Sequence, residues 1–302
     1  MSRPADVVLE LRERYGLDIG DAAALAGGYD VWAQSWRLES DHGPVVVRAD
    51  HRLSPETAGW LFDVQRRVAE RGVPCCQPLC AHDGSVAFRA GGATITVREF
   101  AEGAELDRDD PAQVSAAGAT LGLLHRAGLD MEVERPAPSP WDASLWPGTD
   151  DPPALHDQEL DCWHEAFTGG GGRGFARGLV HGDFWSDNII WSAGHVAAVI
   201  DWSEARLDLL ARELAWATWE FGHDGAYELD VERARTFLGG YREVWGPWEH
   251  GLADVFIVLM RVQLRLNARY SLADAGDVAY NTSLQQEFVR LRHQPATPLL
   301  DP

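Results

Sequence analysis

Lysine is missing altogether: the 26 basic residues of the Lys and Arg class are all arginine, and they face 47 acidic ones. The formal net charge of −21 argues against a nucleic-acid partner, because a phosphate backbone demands a basic face. Long apolar runs are absent too. The longest, Val255 to Met260, falls far short of the roughly 20 residues a membrane span requires, so no membrane partner is expected. The opening Met1 to Tyr15 lacks the character of a signal peptide and reads as an amphipathic helix, which points to a cytoplasmic protein. Cysteine is scarce. Cys75 and Cys76 are adjacent, Cys80 is near and Cys162 remote, without a C-x-x-C pair or histidines at zinc spacing. Reduced, partly buried thiols are the expectation, not a metal site or a disulfide framework. Oligomeric state stays open.

What is present is concentrated in one block. His181-Gly182-Asp183-Phe184-Trp185-Ser186-Asp187-Asn188 is followed by two apolar runs and then Ile200-Asp201-Trp202. The runs Ile189 to Trp191 and Val196 to Ile200 are largely β-branched or aromatic and read as strands. A two-residue type II′ loop at Gly194-His195 would pair Ile190 with Val199 and set Asn188 opposite Asp201, roughly 5 Å apart at Cβ. Taken singly, an Asp or Asn in a loop is usually a turn former. Together the three supply what phosphoryl transfer needs. One carboxylate orients a hydroxyl, while an amide and a second carboxylate hold Mg²⁺ on nucleotide phosphates. His181 reads as a packing residue that holds the loop.

These residues, with Asp208 and Arg212-Glu213-Leu214-Ala215, resemble the aminoglycoside phosphotransferase and choline kinase-like family, whose members are structural relatives of protein kinases. The resemblance extends upstream. Leu25 to Trp32 looks like the first strand, a nucleotide loop containing Gly27 and Gly28, and the second strand. Val45 to Arg48 looks like the third strand, Val97 to Gly103 the hinge, and Gly122 to His125 the helix before the catalytic region. It implies an α+β, bilobal protein kinase-like fold. Residues 1–103 would form a small mixed β-sheet N-lobe with one helix, and residues 104–302 a mostly helical C-lobe.

The resemblance further implies that Asp183 is the catalytic base and that Asn188 and Asp201 ligate Mg²⁺. The backbone of Glu99 and Ala101 would meet the nucleobase of ATP or GTP, and Asp208 and Glu213 would brace the loop after Asp201. The third strand of this fold normally offers a lysine to the phosphates; here Arg48 stands in its place, a fork of donors with different reach. Its carboxylate partner should come from the next helix, which opens on Ser54 as N-cap, Pro55 and Glu56. Glu56 and Asp63 are the alternatives.

Downstream, helical patterns run over Pro111 to Arg126, His156 to Phe167, Leu209 to Phe221, Val231 to Val244, Trp248 to Tyr270 and Ser283 to Leu291, with a frayed tail after them. The acceptor should lie between the catalytic loop and the late helices, among Trp185, Asp187, Glu204, Trp219, Glu220 and Asp224. Glu220 and Asp224 sit one helical turn apart, placed to receive amines. The expected activity is transfer of the γ-phosphoryl group of a Mg²⁺-nucleotide to a hydroxyl of a small molecule, whether an antibiotic such as an aminoglycoside, an amino sugar or another metabolite. The alternative is a nucleotide-binding regulator or inactive homologue without turnover. A protein kinase fits poorly, because the connection after Asp201 is short and Ser203 stands where a D-F-G glycine would be.

Overall fold

The computed structural model describes residues 4–25, 32–129, 131, 135–136, 152–273 and 278–300. The chain forms two compact units. One comprises Met1–Gly103, Arg135–Ala137 and Ala197–Ile200; the other comprises Ala104–Glu134, Pro138–Val196 and Asp201–Pro302.

The first unit is built on an antiparallel sheet. After α1 (Pro4–Tyr15) come β1 (Ile19–Ala24), β2 (Ala33–Ser40) and β3 (Val45–Asp50). Then follow α2 (Pro55–Ala69), β4 (Ala87–Ala90) and β5 (Ala93–Glu99), and the strand order is β1-β2-β3-β5-β4. Period-two alternation decides the core face: Val45, Val47 and Ala49 of β3 and Ala93, Ile95 and Val97 of β5 all point inward. Val7, Leu11 and Tyr15 recur every four residues along α1 and close the same core. Fully burying each of these larger aliphatic side chains contributes about 2 kcal/mol. On α2 the Ser54 hydroxyl caps the Thr57 amide at 3.1 Å, and Leu61, Val64 and Val68 give the buried stripe. The first two strands flank the stretch Leu25 to Trp32 expected to contain them: β1 ends at Ala24 and β2 begins at Ala33, and residues 26–31 lie outside the described residues. Gly27 and Gly28 lie outside the described residues.

The second unit is mostly helical. In chain order it holds β6 (Ala104–Glu105), α3 (Pro111–Gly128), α4 (Gln158–Thr168), β7 (Arg177–Val180) and β8 (Ile189–Ser192). After β9 (His195–Val199), whose first residues belong to it, come β10 (Arg206–Leu209), α5 (Leu210–Gly222), α6 (Val231–Trp245), α7 (Leu252–Ala273), α8 (Val278–Arg290) and α9 (Thr297–Leu300). β7 pairs antiparallel with β10, so the segments on either side of the catalytic block lie side by side. The tail is docked rather than frayed: Leu299 and Leu300 are buried, and the Trp248 indole donates to the Leu300 carbonyl at 2.8 Å.

Backbone contact between α3 and α6 decides where the site's supports stand. A Cβ added at Gly118 would fall 1.9 Å from the Phe237 carbonyl oxygen, and one at Gly240 would fall 1.9 Å from that of Ser115. Only glycine admits this approach. Elsewhere in a helix, alanine is preferred over glycine by about 1 kcal/mol. Gly118→Ala is therefore expected to destabilise by about 3 kcal/mol, while Gly239→Ala, next to open space on the exposed face of α6, should stabilise by up to about 1 kcal/mol. Urea denaturation of both variants checks this; equal effects of one sign would contradict the close packing.

Candidate active site

The loop that leads into Asp183 is held by a buried carboxylate. Glu213, in the first turn of α5, accepts the His181 amide at 3.1 Å, the Gly182 amide at 2.5 Å and His125 Nε2 at 2.9 Å. His125, on α3, meets the Tyr241 hydroxyl of α6 through Nδ1 at 3.0 Å. Burial pushes the Glu213 carboxyl up, but the His125 hydrogen bond, the two histidines and the Gly182 amide outweigh it and hold its pKa below the usual value. Gly182 has φ 87°, and a Cβ there would lie 2.3 Å from the Glu204 carbonyl, so the turn into Asp183 requires glycine. The His181 ring is fully buried, edge-on to Trp202 at 4.9 Å, which is the packing role expected of it.

Asp183 and Asn188 come together. Asn188 Nδ2 donates to the Asp183 carbonyl at 2.8 Å and to its carboxylate at 2.9 Å. Both nitrogen-bound hydrogens are thus used, and Asn188 Oδ1 accepts nothing among the described residues. The Asp183 carboxyl is pushed up to about 7, first by burial, then by the negative charges of Asp201 and Glu204; the Asn188 hydrogen bond pulls the other way. A carboxylate with this pKa is poised for proton exchange near neutrality.

Asp201 sits at φ 54° in the left-handed region and accepts the Ser203 hydroxyl at 2.9 Å. The hairpin turn differs from the expectation. Ala193 and Gly194 both have positive φ, 49° and 84°, so the loop is of type I′ at 193–194 rather than type II′ at 194–195. Counting outward from it no longer sets Asn188 directly opposite Asp201. The charge of Asp201 nonetheless reaches Asp183. A divalent cation suits this donor set: an amide oxygen without a partner and a carboxylate, beside an excess of negative charge, is what Mg²⁺ takes when phosphates and waters complete its shell. Among the described residues no cluster of three or more His, Cys, Asp or Glu could form an all-protein cage.

Past Asp201 the bracing divides differently from the expectation. Asp208 accepts the Leu209 amide at 2.8 Å and pairs with Arg206 at 3.2 Å and Arg212 at 3.3 Å; Arg206 in turn donates to the Glu204 carbonyl at 3.2 Å. Asp208 thus braces the segment after Asp201, while Glu213 serves the loop before Asp183.

The expected acceptor residues separate. Glu220 lies two turns after Glu213 on the same face of α5, and its carboxyl is pushed up to about 8 by burial, then by Asp183. It makes no hydrogen bond among the described residues; the nearest partner is His223 Nε2 at 3.9 Å. That nitrogen is already engaged. His223 Nδ1 is 2.7 Å from the Asp224 carbonyl and so carries the proton, leaving Nε2 to accept from Arg108 Nη1 at 2.9 Å. Burial, then Arg108, holds the ring neutral with a pKa near 4. Asp187 and Glu204, both partly exposed, add negative charge, the first toward Glu220 and the second toward Asp183. Trp185 is partly exposed beside them in sequence. Trp219 is fully buried, stacked on Trp216 at 5.0 Å, and belongs to the core rather than to an acceptor surface. Asp224 closes a turn by accepting the Ala226 and Glu228 amides at 2.8 and 3.0 Å, so it forms no carboxylate pair with Glu220. Sequence reasoning missed Arg108 and His223, whose pairing spans 115 positions and leaves no local pattern.

In the first unit, Arg48 lies in β3 with its Nη2 3.6 Å from the Asp50 carboxylate. Neither expected helix partner reaches it. Glu56 is exposed and engaged with the cap at Ser54, and Asp63 pairs with Arg66 and Arg67 of its own helix at 2.9 and 2.8 Å. The Glu99 amide is committed to the Gln77 carbonyl at 3.0 Å, and the Ala101 backbone hydrogen-bonds the Cys76 thiol.

Residues 21–248 match the phosphotransferase enzyme family, and the chain belongs to it. By class it is a small-molecule kinase. A homoserine kinase of Mesorhizobium japonicum is 31% identical over 209 residues, covering 66% of this chain and 64% of that one, so the match spans a little under two thirds of that relative's length. A homoserine kinase of Methylobacillus flagellatus is 26% identical with 92% of each chain covered. Among solved structures, the amicoumacin kinase hAmiN superposes with a TM-score of 0.71 at 16% identity over 98% of this chain and 96% of that one. Spectinomycin phosphotransferase APH(9)-Ia gives 0.62 at 13% over 99% and 97%. The fold is therefore the α+β kinase-like fold of these phosphotransferases. No helix among the described residues is long and apolar enough to cross a membrane.

Asp183 costs the metal-free fold stability once ionised. Its unfolded-state pKa is near 3.8 and its folded-state pKa about 7, so the penalty builds as pH rises between them and is complete above the higher value. Asp183→Asn should then stabilise the metal-free protein by ~2 kcal/mol at pH 8 and by nearly nothing at pH 4. Urea unfolding at the two pH values checks it; a gain independent of pH would contradict the carboxylate crowding.

Proposed function

We propose that this chain transfers the γ-phosphoryl group of ATP to a hydroxyl of a small amine-bearing alcohol, with homoserine the foremost candidate. The observation that carries the transfer chemistry is the Asp183–Asn188 pair: a carboxyl with its pKa near neutrality, locked by an amide whose oxygen is left over. Asp183 accepts or orients the proton of the acceptor hydroxyl. As that oxygen bonds to the γ-phosphorus, the bond from phosphorus to the β–γ bridging oxygen breaks and ADP leaves. Asn188 Oδ1 and the Asp201 carboxylate are the residues that would hold Mg²⁺. When bound, the ion neutralises charge developing on the phosphates. Glu213 keeps His181 and Gly182 in place, so that Asp183 is delivered in one orientation. Arg48 is the side chain proposed for the nucleotide phosphates.

Two observations support an amine on the acceptor. Glu220 is a buried carboxyl without a hydrogen bond among the described residues, and Asp183, Asp187 and Glu204 surround the same region with negative charge. An ammonium group supplies the missing donors and the missing positive charge together. Homoserine is favoured over an antibiotic because the Mesorhizobium japonicum and Methylobacillus flagellatus relatives, at 31 and 26% identity, are homoserine kinases. The antibiotic kinases share the fold at 13 and 16% identity.

The test is nucleotide consumption with Mg²⁺ and a panel of homoserine, choline, an aminoglycoside and a neutral alcohol. Turnover is expected with homoserine and little with the neutral alcohol. Asp183→Ala should lower kcat about 10³-fold while leaving nucleotide affinity within a few-fold. Nucleotide binding without turnover on any acceptor would favour a regulator instead, and near-normal rates in Asp183→Ala would remove its assigned role.

A further inference from the structure

A concavity lies wholly within the helical unit. It is a cavity of about 430 Å³ between the glycine-rich turn after α4 and the β7–β10 pair. Its charged lining is Arg173, Arg177, Arg206 and Arg212 against Asp208. Four positive side chains and one negative leave a local charge of +3, in a chain whose total is −21.

The existing partners do not neutralise it. Asp208 serves Arg206 at 3.2 Å and Arg212 at 3.3 Å at once. The exposed Arg173 and Arg177 side chains engage no carboxylate among the described residues. Arg212 Nε is buried with no hydrogen-bond partner, and the neighbouring His164 imidazole, 3.3 Å from Arg212 Nη2, is kept neutral by burial and by that arginine. The N-terminus of α5 lies at the same wall, because its N-cap residue Leu209 lines the cavity; the Leu209 amide donates to Asp208 at 2.8 Å and the Leu210 amide to the Ala176 carbonyl at 3.0 Å. The helix dipole adds to the positive field there. Phe167 and Leu209 give the cavity an apolar flank, and its volume suits a small organic ligand.

We propose that this cavity is a binding site for a compact dianion of the phosphate class, distinct from the nucleotide and acceptor sites. Guanidinium forks grip phosphate oxygens through paired charge-assisted hydrogen bonds. Arg206 gives the site a route to catalysis. The side chain that lines the cavity also donates to the Glu204 carbonyl, and its Nη1 would lie 2.6 Å from a Cβ at Gly182.

Titration of the full-length protein with inorganic phosphate and with phenyl phosphate, read by calorimetry and by thermal shift against sodium chloride of equal ionic strength, tests the site without requiring turnover. Both phosphates should bind and raise the melting midpoint beyond the chloride control. The double variant Arg173→Gln, Arg177→Gln should weaken them roughly tenfold or more, while Arg235→Gln, on α6 away from the cavity, keeps wild-type affinity. Tighter binding of phenyl phosphate identifies a phosphomonoester using the Phe167 flank; equal binding identifies free phosphate. No shift beyond chloride, undiminished affinity in the double variant, or an equal loss in Arg235→Gln would overturn the proposal.

Discussion

Negative charge crowded around one carboxyl is the constraint on which the rest of the site depends. Asp183 is held among Asp201, Glu204 and Glu213, with a single amide, that of Asn188, donating to it. Burial together with like charges raises its pKa from 3.8 to about 7. An arrangement that costs stability in the free protein is one that a cation and a proton-bearing acceptor relieve. The same residues that make the loop unfavourable by itself make it receptive to a metal-bound phosphate and a hydroxyl.

Holding such a loop requires a rigid support, and the structure supplies one through a chain of contacts that begins in glycines. Gly118 and Gly240 let α3 and α6 approach until their backbones touch. That approach brings the His125 ring to the Tyr241 hydroxyl, and the imidazole then fixes Glu213. Glu213 spends its lone pairs on the two amides that precede Asp183. A buried, charged network of this kind holds only if every member is satisfied, which is why Glu213 ionises readily while Glu220, on the same helix and equally buried, does not. The contrast separates a structural carboxylate from the one proposed to meet the acceptor amine.

Much of this is legible in the amino-acid sequence alone. The Asp183–Asn188 spacing, the strands after it, the Ser54 cap and most helices follow from local rules, and α6 begins at Val231 as its periodicity predicts. The misreadings share a cause: they needed partners distant in sequence or a backbone state that composition disfavours. The hairpin turn centres on Ala193 because a non-glycine residue adopts positive φ there, against its usual preference. Glu213 was expected beside Asp208, its neighbour in sequence, yet tertiary packing turned it to the opposite loop. Arg48 lies beside Asp50 of its own strand rather than an acid of α2, since Asp63 is taken by arginines one turn along its own helix. Trp219 stands among the acceptor candidates by its place on α5, and its full burial puts it in the core.

If carboxylate crowding governs the site, binding of a Mg²⁺-nucleotide must expel protons. A bound cation lowers the pKa of a neighbouring acid, and Asp183 is partly protonated at neutral pH. Calorimetric titration of the nucleotide complex in buffers of different ionisation enthalpy measures this directly. The account predicts net proton release at pH 7 that shrinks toward zero at pH 9 and is reduced in Asp183→Asn. Binding with no proton release at pH 7, or with the same release at both pH values, would contradict it.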